Sequence, residues 1–162
     1  MYYASRIEAG HLLALKLKIL ATHLHFSQLS PGLLLFSTAT RCIPVAREVA
    51  AAFDTDVISL GDNQVDARLR PSVQERTVIL IDDGKSSETY LLRIVTELQS
   101  LHPARVLLAM PSANGQRHRL LYRVVDDIIY ATTQSRLYAD EVWYGVSSDH
   151  IDLASQSVPS GQ

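Results

Sequence analysis

One stretch constrains this chain more than any other: Thr77-Val-Ile-Leu-Ile-Asp82-Asp83-Gly84-Lys85-Ser86-Ser87-Glu88-Thr89-Tyr90. Its first five residues include four aliphatics, three of them β-branched, with no polar interruption. That is the pattern of a strand buried on both faces of a parallel sheet. The run stops at two adjacent carboxylates and a glycine. Hydroxyl-bearing residues follow, and Leu91, Leu92, Val95 and Leu98 then recur at helical spacing. Strand, acidic pair, tight turn and helix start is the layout of a ligand site at the carboxyl edge of an open α/β sheet. Amides at a helix start attract phosphate, and Ser86, Ser87 and Thr89 add hydroxyl donors. Asp82 and Asp83 then face sugar hydroxyls or a hydrated Mg²⁺. The competing reading makes the acidic pair a solvated strand end or helix cap, and the hydroxyls caps alone.

The rest of the chain alternates in the same way. A helix opens at Ser5, whose spacing to Glu8 is that of a capping box. Ile7, Leu12, Leu13, Leu15, Leu17, Ile19 and Leu20 are its expected apolar face, and Gly10 marks close packing. After a turn at Ser30-Pro31-Gly32, Leu33 to Phe36 reads as a short strand ending in the small polar loop Ser37 to Cys42. Pro44 to Phe53 is a helix with proline in its first turn, where the missing N–H does no harm. Val57 to Leu60 is a strand, and Gly61 to Glu75 a polar loop. The helix after Thr89 runs to about Leu101. Arg105 to Met110 is a strand, Pro111 to Gly115 a turn, Gln116 to Val125 a short helix and Asp127 to Ala131 a strand. Leu137 to Tyr144, with Tyr138, Trp143 and Tyr144, is an edge strand or a covering segment. This alternation predicts an α/β fold: an open, mainly parallel sheet with helices on both faces. Residues 1–154 are read as one domain and 155–162, rich in Ser, Gln, Pro and Gly, as a tail.

Composition narrows the function classes. A net charge of −2 carries no basic field that would recruit nucleic acid or an anionic membrane surface. The apolar run from Leu12 to Leu24 is broken by Lys16, Lys18 and His23 and is too short to span a bilayer. One cysteine, Cys42, excludes an intramolecular disulfide and fits a reducing, cytoplasmic setting. Cys42 has no histidine beside it in a motif, so an inert buried thiol is the expected reading. The histidines show no zinc spacing, His23-x-His25 being the nearest approach to one. Gly84-Lys85-Ser86 is not a P-loop, because Ile79 stands where that motif needs glycine. The basic cluster Gln116-Arg-His-Arg119 with Arg123 reads as a solvated helix face.

The strand with its Asp82-Asp83 pair resembles the phosphoribosyl-diphosphate (PRPP) signature of the type I phosphoribosyltransferases. Tyr2-x-x-Ser5-Arg6-x-Glu8-Ala9-Gly10 is similar to the opening helix of a bacterial branch of that family. Ile43 to Ala50 is similar to the helix after its diphosphate loop. The resemblance implies a type I phosphoribosyltransferase-like, Rossmann-like fold and transfer of 5-phosphoribosyl from PRPP to a nitrogenous base, with Mg²⁺ accompanying PRPP. It implies that Asp82 and Asp83 hold the ribose, that Gly84, Lys85, Ser86, Ser87 and Thr89 cradle the 5′-phosphate, and that Arg41 meets the diphosphate. The chain departs from the pattern in three places. Glu88 replaces a phosphate-loop glycine, Thr40-Arg41-Cys42 replaces an Arg-Gly-Gly stretch, and Gly61 to Glu75 replaces a longer lid, with Arg68 and Arg70 as its cations. These departures keep a second reading open: a non-catalytic relative that binds a nucleotide or phosphosugar, or acts through RNA or protein contacts. A receiver-like acidic metal site is a third, lacking the downstream lysine and threonine. A homodimer fits the apolar opening helix and the aromatic C-terminal segment.

Overall fold

The computed structural model of the protein describes residues 5–23, 32–61, 64–112 and 118–132. Its centre is β3 (Thr77–Ile81), whose five residues are all buried. Two strands flank it, β1 (Leu33–Ser37) and β4 (Arg105–Ser112), with β2 (Val57–Ser59) beyond β1 and β5 (Asp127–Thr132) beyond β4. All neighbours pair parallel, in the order β2-β1-β3-β4-β5. The uninterrupted aliphatic run of β3 follows from this position, since a central parallel strand has no wet face.

Alternation along β3 divides the core in two. Val78 and Leu80 pack with Phe36, Leu91, Ile94, Val95, Leu98 and Met110, on the side covered by α4 (Glu88–Gln99). Ile79 and Ile81 pack with Leu13, Leu17, Val45, Val49 and Ala109, on the side covered by α1 (Arg6–His23) and α2 (Ile43–Phe53). The predicted open parallel sheet with helices on both faces is therefore what the chain forms. No helix among the described residues is long and apolar enough to cross a membrane.

Local chemistry sets the helix ends. Ser87 caps α4 by accepting from the Tyr90 amide at 3.2 Å, and Ser5 accepts from the Glu8 amide at 3.2 Å at the start of α1. Asp54 ends α2 in the left-handed region, at φ 50°, with its amide on the carbonyls of Ala50 and Ala51. Gly10 lets α1 lie against α2: a Cβ there would meet Glu48 Cβ at 2.8 Å and the Val45 carbonyl at 2.9 Å.

Four local expectations are revised. The apolar residues of α1 do not share one face. Arg6, Ala9, Leu13, Ala14 and Leu17 are buried, whereas Ile7, Leu15 and Ile19 are 52%, 58% and 46% exposed. At 100° per residue Leu15 and Ile19 fall opposite Leu13 and Leu17 and Ile7 lies to one side of them, so apolar residues occupy more than one face of this helix. The polar segment 61–75 contains a 3₁₀ turn, Ala67–Leu69, and a single helical turn, α3 (Arg70–Val73), which buries Val73. β4 runs on through Pro111 to Ser112 instead of turning at the proline. Proline is tolerated there because the Ala109 carbonyl, two residues earlier, points toward β3 and accepts the Asp82 amide. An N–H at position 111 would point the same way, beyond Ile81↔Ala109, the last pair of the β3–β4 register, so the proline interrupts none of that register. Of the expected helix 116–125, the described part (from His118 on) holds only a 3₁₀ turn, Leu121–Arg123. Residues 113–117, the aromatic segment 137–144 and the tail 155–162 lie outside the described residues.

Candidate functional site

In this strand order the chain leaves β1 toward one edge of the sheet and β3 toward the other. A crevice opens at such a switch point, beyond the carboxyl ends of β1 and β3, and is where ligands of open α/β sheets bind. The loops meeting here are Thr38 to Cys42 and Asp82 to Ser87, the two stretches with the densest polar chemistry in the sequence.

The two loops are bonded directly across the crevice. Asp82, fully buried, takes four donors from hydroxyls and amides, and the Cys42 thiol lies 3.8 Å from its Oδ1 as a fifth. Thr38 Oγ1 and Ser86 Oγ each donate to its Oδ1 at 2.5 Å; the amides of Gly84 (2.8 Å) and Ser86 (3.4 Å) donate to Oδ2. The Thr38 hydroxyl spends its one proton on Asp82, so at 3.2 Å it accepts from the Cys42 thiol. Asp83, also fully buried, meets two arginines. Arg41 Nε lies 3.3 Å from Oδ1 and 3.2 Å from Oδ2, and Arg6 Nη2 lies 3.5 Å from Oδ2. The Lys85 amide donates to Asp83 Oδ1 at 3.1 Å, and Arg41 Nη2 donates to Ser86 Oγ at 2.7 Å. Gly84 makes this turn possible by adopting φ 87°.

Electrostatics follow from this burial. Removal from water, and then the charge of Asp82, push the Asp83 carboxyl above its ordinary range, against the pull of Arg41 and Arg6. Burial, with the two carboxylates adding to it, also holds the Cys42 thiol protonated. Cys42, Asp82 and Asp83 place potential ligand atoms within 4.8 Å of one another. They do not fit direct Mg²⁺ coordination. A protonated thiol is no ligand for a hard cation, Mg²⁺ keeps several waters, and all three residues are buried and already bonded.

The rim of the crevice is different. At the start of α4 the amides of Ser87, Glu88 and Thr89 have no acceptor among the described residues, and the Ser87 and Thr89 side chains are exposed. Glu88, which the sequence places against a phosphate, points elsewhere. Its Oε1 accepts the Leu120 and Leu121 amides at 2.8 and 3.3 Å, tying α4 to the 3₁₀ turn before β5. Tyr90 reaches back, its hydroxyl 2.6 Å from the Thr38 carbonyl and 3.0 Å from that of Gly61. The cations of the shortened lid are engaged away from the crevice. Arg68 pairs with Asp66 at 2.6 Å, and Arg70 Nη2 donates to the Ser100 carbonyl at 3.1 Å.

The structure thus gathers Arg41, Asp82, Asp83, Gly84, Lys85 and Ser86 in the crevice, with Ser87 and Thr89 on its rim. Sequence reasoning assigned no contact to Arg6, Thr38 or Tyr90. Arg6 reaches the site from the opening helix and Thr38 from the loop after β1, whereas Tyr90 belongs to the signature stretch itself; Thr38, in a small polar loop after a strand, carried a local signal. The basic cluster read as a solvated helix face is corrected at one residue: Arg119 and Arg123 are exposed, but His118 is buried, its Nδ1 2.8 Å from the Tyr130 hydroxyl, and burial lowers its proton affinity.

At the level of sequence, no protein-family model and no curated protein matches the chain. Solved structures do. The Leishmania tarentolae HGPRT-ase in complex with GMP superposes with a TM-score of 0.56 at 18% identity, over 84% of this chain and 82% of that one. The L. donovani hypoxanthine-guanine phosphoribosyl transferase gives 0.54 at 15% identity, over 85% and 87%. Thermus thermophilus TT1426 gives 0.56 at 18% identity, over 88% and 90%. These likenesses extend over most of every chain compared. The chain has the fold of the type I phosphoribosyltransferases.

Proposed function

We propose that this crevice binds a 5-phosphoribosyl ligand and that the chain transfers the 5-phosphoribosyl group of PRPP to a nitrogenous base. The observation that carries this reading is the pairing of two features at one switch point. Unpartnered amides at the start of α4 sit beside an acidic pair and an arginine. The 5′-phosphate would rest on the amides of Ser87, Glu88 and Thr89, the Ser87 and Thr89 hydroxyls, Lys85 and the Gly84 turn. Asp82 and Asp83 would lie under the ribose and Arg41 against the diphosphate. A base nitrogen would form its bond to the anomeric carbon as the diphosphate oxygen leaves with the bonding electrons. Buried carboxylates beside that carbon would favour its developing positive charge. Mg²⁺ is expected only as part of the ligand, on the diphosphate.

A second reading has its own observation. Both carboxylates are fully buried and bonded within the protein, as a ligand-binding protein without turnover would tolerate. Calorimetric titration with PRPP, with and without Mg²⁺, tests the site, and diphosphate release over a purine, pyrimidine and nicotinate panel tests the reaction. Saturable binding weakened by Asp83→Asn, with release on one base, is expected. Binding without release on any base leaves the second reading. No binding at millimolar PRPP removes both.

We further propose that copies of the chain pair through the outer face of α1. Ile7, Leu15 and Ile19 are three of the five exposed large hydrophobics among the described residues. Glu8 lies near the helix start and Lys16 near its end, so antiparallel pairing sets opposite charges together and parallel pairing like ones. Sedimentation should show a dimer that Leu15→Glu dissociates; a wild-type monomer at high micromolar concentration would exclude it.

A further inference from the structure

The two arginines on Asp83 are not equivalent. The Arg6 side chain is 4% exposed, held on the first turn of α1 between that helix and the sheet. The Arg41 side chain is 37% exposed and rises from a 3₁₀ turn, Thr40–Cys42, before α2. Arg41 reaches across the crevice to two partners on the opposite loop, Asp83 by Nε and Ser86 by Nη2. Its guanidinium therefore bridges the volume between the β1 and β3 loops that a ligand would enter. Ser86 Oγ in turn donates to Asp82 Oδ1, so this one side chain connects to both carboxylates.

We propose that Arg41 is a displaceable latch over the crevice, and that it sets the selectivity of the site for ligands carrying a diphosphate. The inference rests on the phosphoribosyl reading above and adds to it a means of discrimination. Swinging Arg41 out costs its bonds to Asp83 and Ser86. A diphosphate offers the guanidinium a bidentate, doubly charged replacement and offsets that cost. A sugar monophosphate, seated at the start of α4, offers Arg41 nothing in exchange and must bear the cost of opening alone. Arg6 makes the exchange tolerable. When Arg41 leaves, Asp83 keeps one buried cation, so the opened state does not strand an uncompensated buried charge.

The test is calorimetric titration of the wild type, Arg41→Met and Arg41→Lys with PRPP, ribose 5-phosphate and inorganic diphosphate, at fixed salt. Wild type should bind PRPP at least about tenfold tighter than ribose 5-phosphate. In Arg41→Met the two ligands should move in opposite directions: PRPP several-fold weaker, ribose 5-phosphate several-fold tighter, because the latch is gone. Inorganic diphosphate should lose binding with PRPP. Arg41→Lys, which keeps the charge but cannot bridge Asp83 and Ser86 as a fork, should fall between the two. A purely structural role for Arg41 would weaken both sugar ligands together. That outcome, or wild-type binding of ribose 5-phosphate as tight as PRPP, overturns the latch and leaves the phosphoribosyl reading standing. Absence of binding by all three probes to every variant overturns both. Circular dichroism of each variant establishes that it is folded before titration.

Discussion

Asp82 and Asp83 have different surroundings although they are neighbours. Asp82 faces neutral donors, two hydroxyls, two amides and the Cys42 thiol; Asp83 is ion-paired with two guanidinium groups and accepts from an amide. Arg6→Met leaves Asp83 with Arg41, the more exposed of its two cations, so it should cost about 1–3 kcal/mol of stability, read by urea denaturation. His118 gives a pH signature. Its folded-state pKa lies below the ordinary value because burial disfavours the imidazolium. The unfolded chain therefore binds the proton first as pH falls. The stability His118 confers is full above its unfolded pKa of about 6.5 and declines as pH drops toward the lower folded value. Unfolding free energies compared near neutrality and at mildly acidic pH should show the wild type losing more stability than His118→Gln. Equal losses would place the imidazole in water.

At the scale of elements, two contacts decide how helices meet the sheet. Gly10 lets α1 approach α2, and an alanine there would press on the Val45 carbonyl and on Glu48. Gly10→Ala should cost about 1–3 kcal/mol despite alanine's better helix propensity, a sign reversal that thermal melts would detect. Glu88 joins α4 to the 3₁₀ turn before β5. Glu88→Ala should cost about 1 kcal/mol by freeing two amides. The same substitution should change phosphate-ligand affinity little, because the carboxylate points away from the crevice rim. A large gain in affinity would mean that Glu88 does face the phosphate. Much of this level was legible beforehand. The β3 run, Pro44 in the first turn of α2 and Ser87 before α4 are local signals with local consequences. The exposed side of α1 was not legible, because seven apolar residues in one helix do not say which of them the sheet will cover.

Across the whole molecule, β3 is flanked on both edges and covered on both faces, whereas β2 is a three-residue edge strand with Ser59 exposed. Hydrogen exchange should therefore be slowest in β3 and the strands beside it and faster in β2. Protection of β2 equal to that of β3 would argue that another chain covers that edge. The order β2-β1-β3-β4-β5 also explains why the crevice chemistry comes from two separate loops. Chain reversal at the β1/β3 boundary brings Thr38 and Arg41 to Asp82 and Asp83, which no spacing rule in the sequence expresses.

By itself, the sequence determined the elements and the chemistry available to them. A short aliphatic run rich in β-branched residues reads as a buried strand, and two carboxylates, a glycine and three hydroxyls end it in a polar turn. Those are short-range consequences of hydrophobicity, backbone sterics and capping. Tertiary structure alone decided what each group meets. It buried both aspartates, turned Glu88 away from the crevice rim, left apolar residues of α1 exposed, and brought Arg6 and Arg41 to the same carboxylate. The physical reason is that burial and charge pairing depend on which loops the sheet order places side by side, and that order is settled by packing over the whole chain.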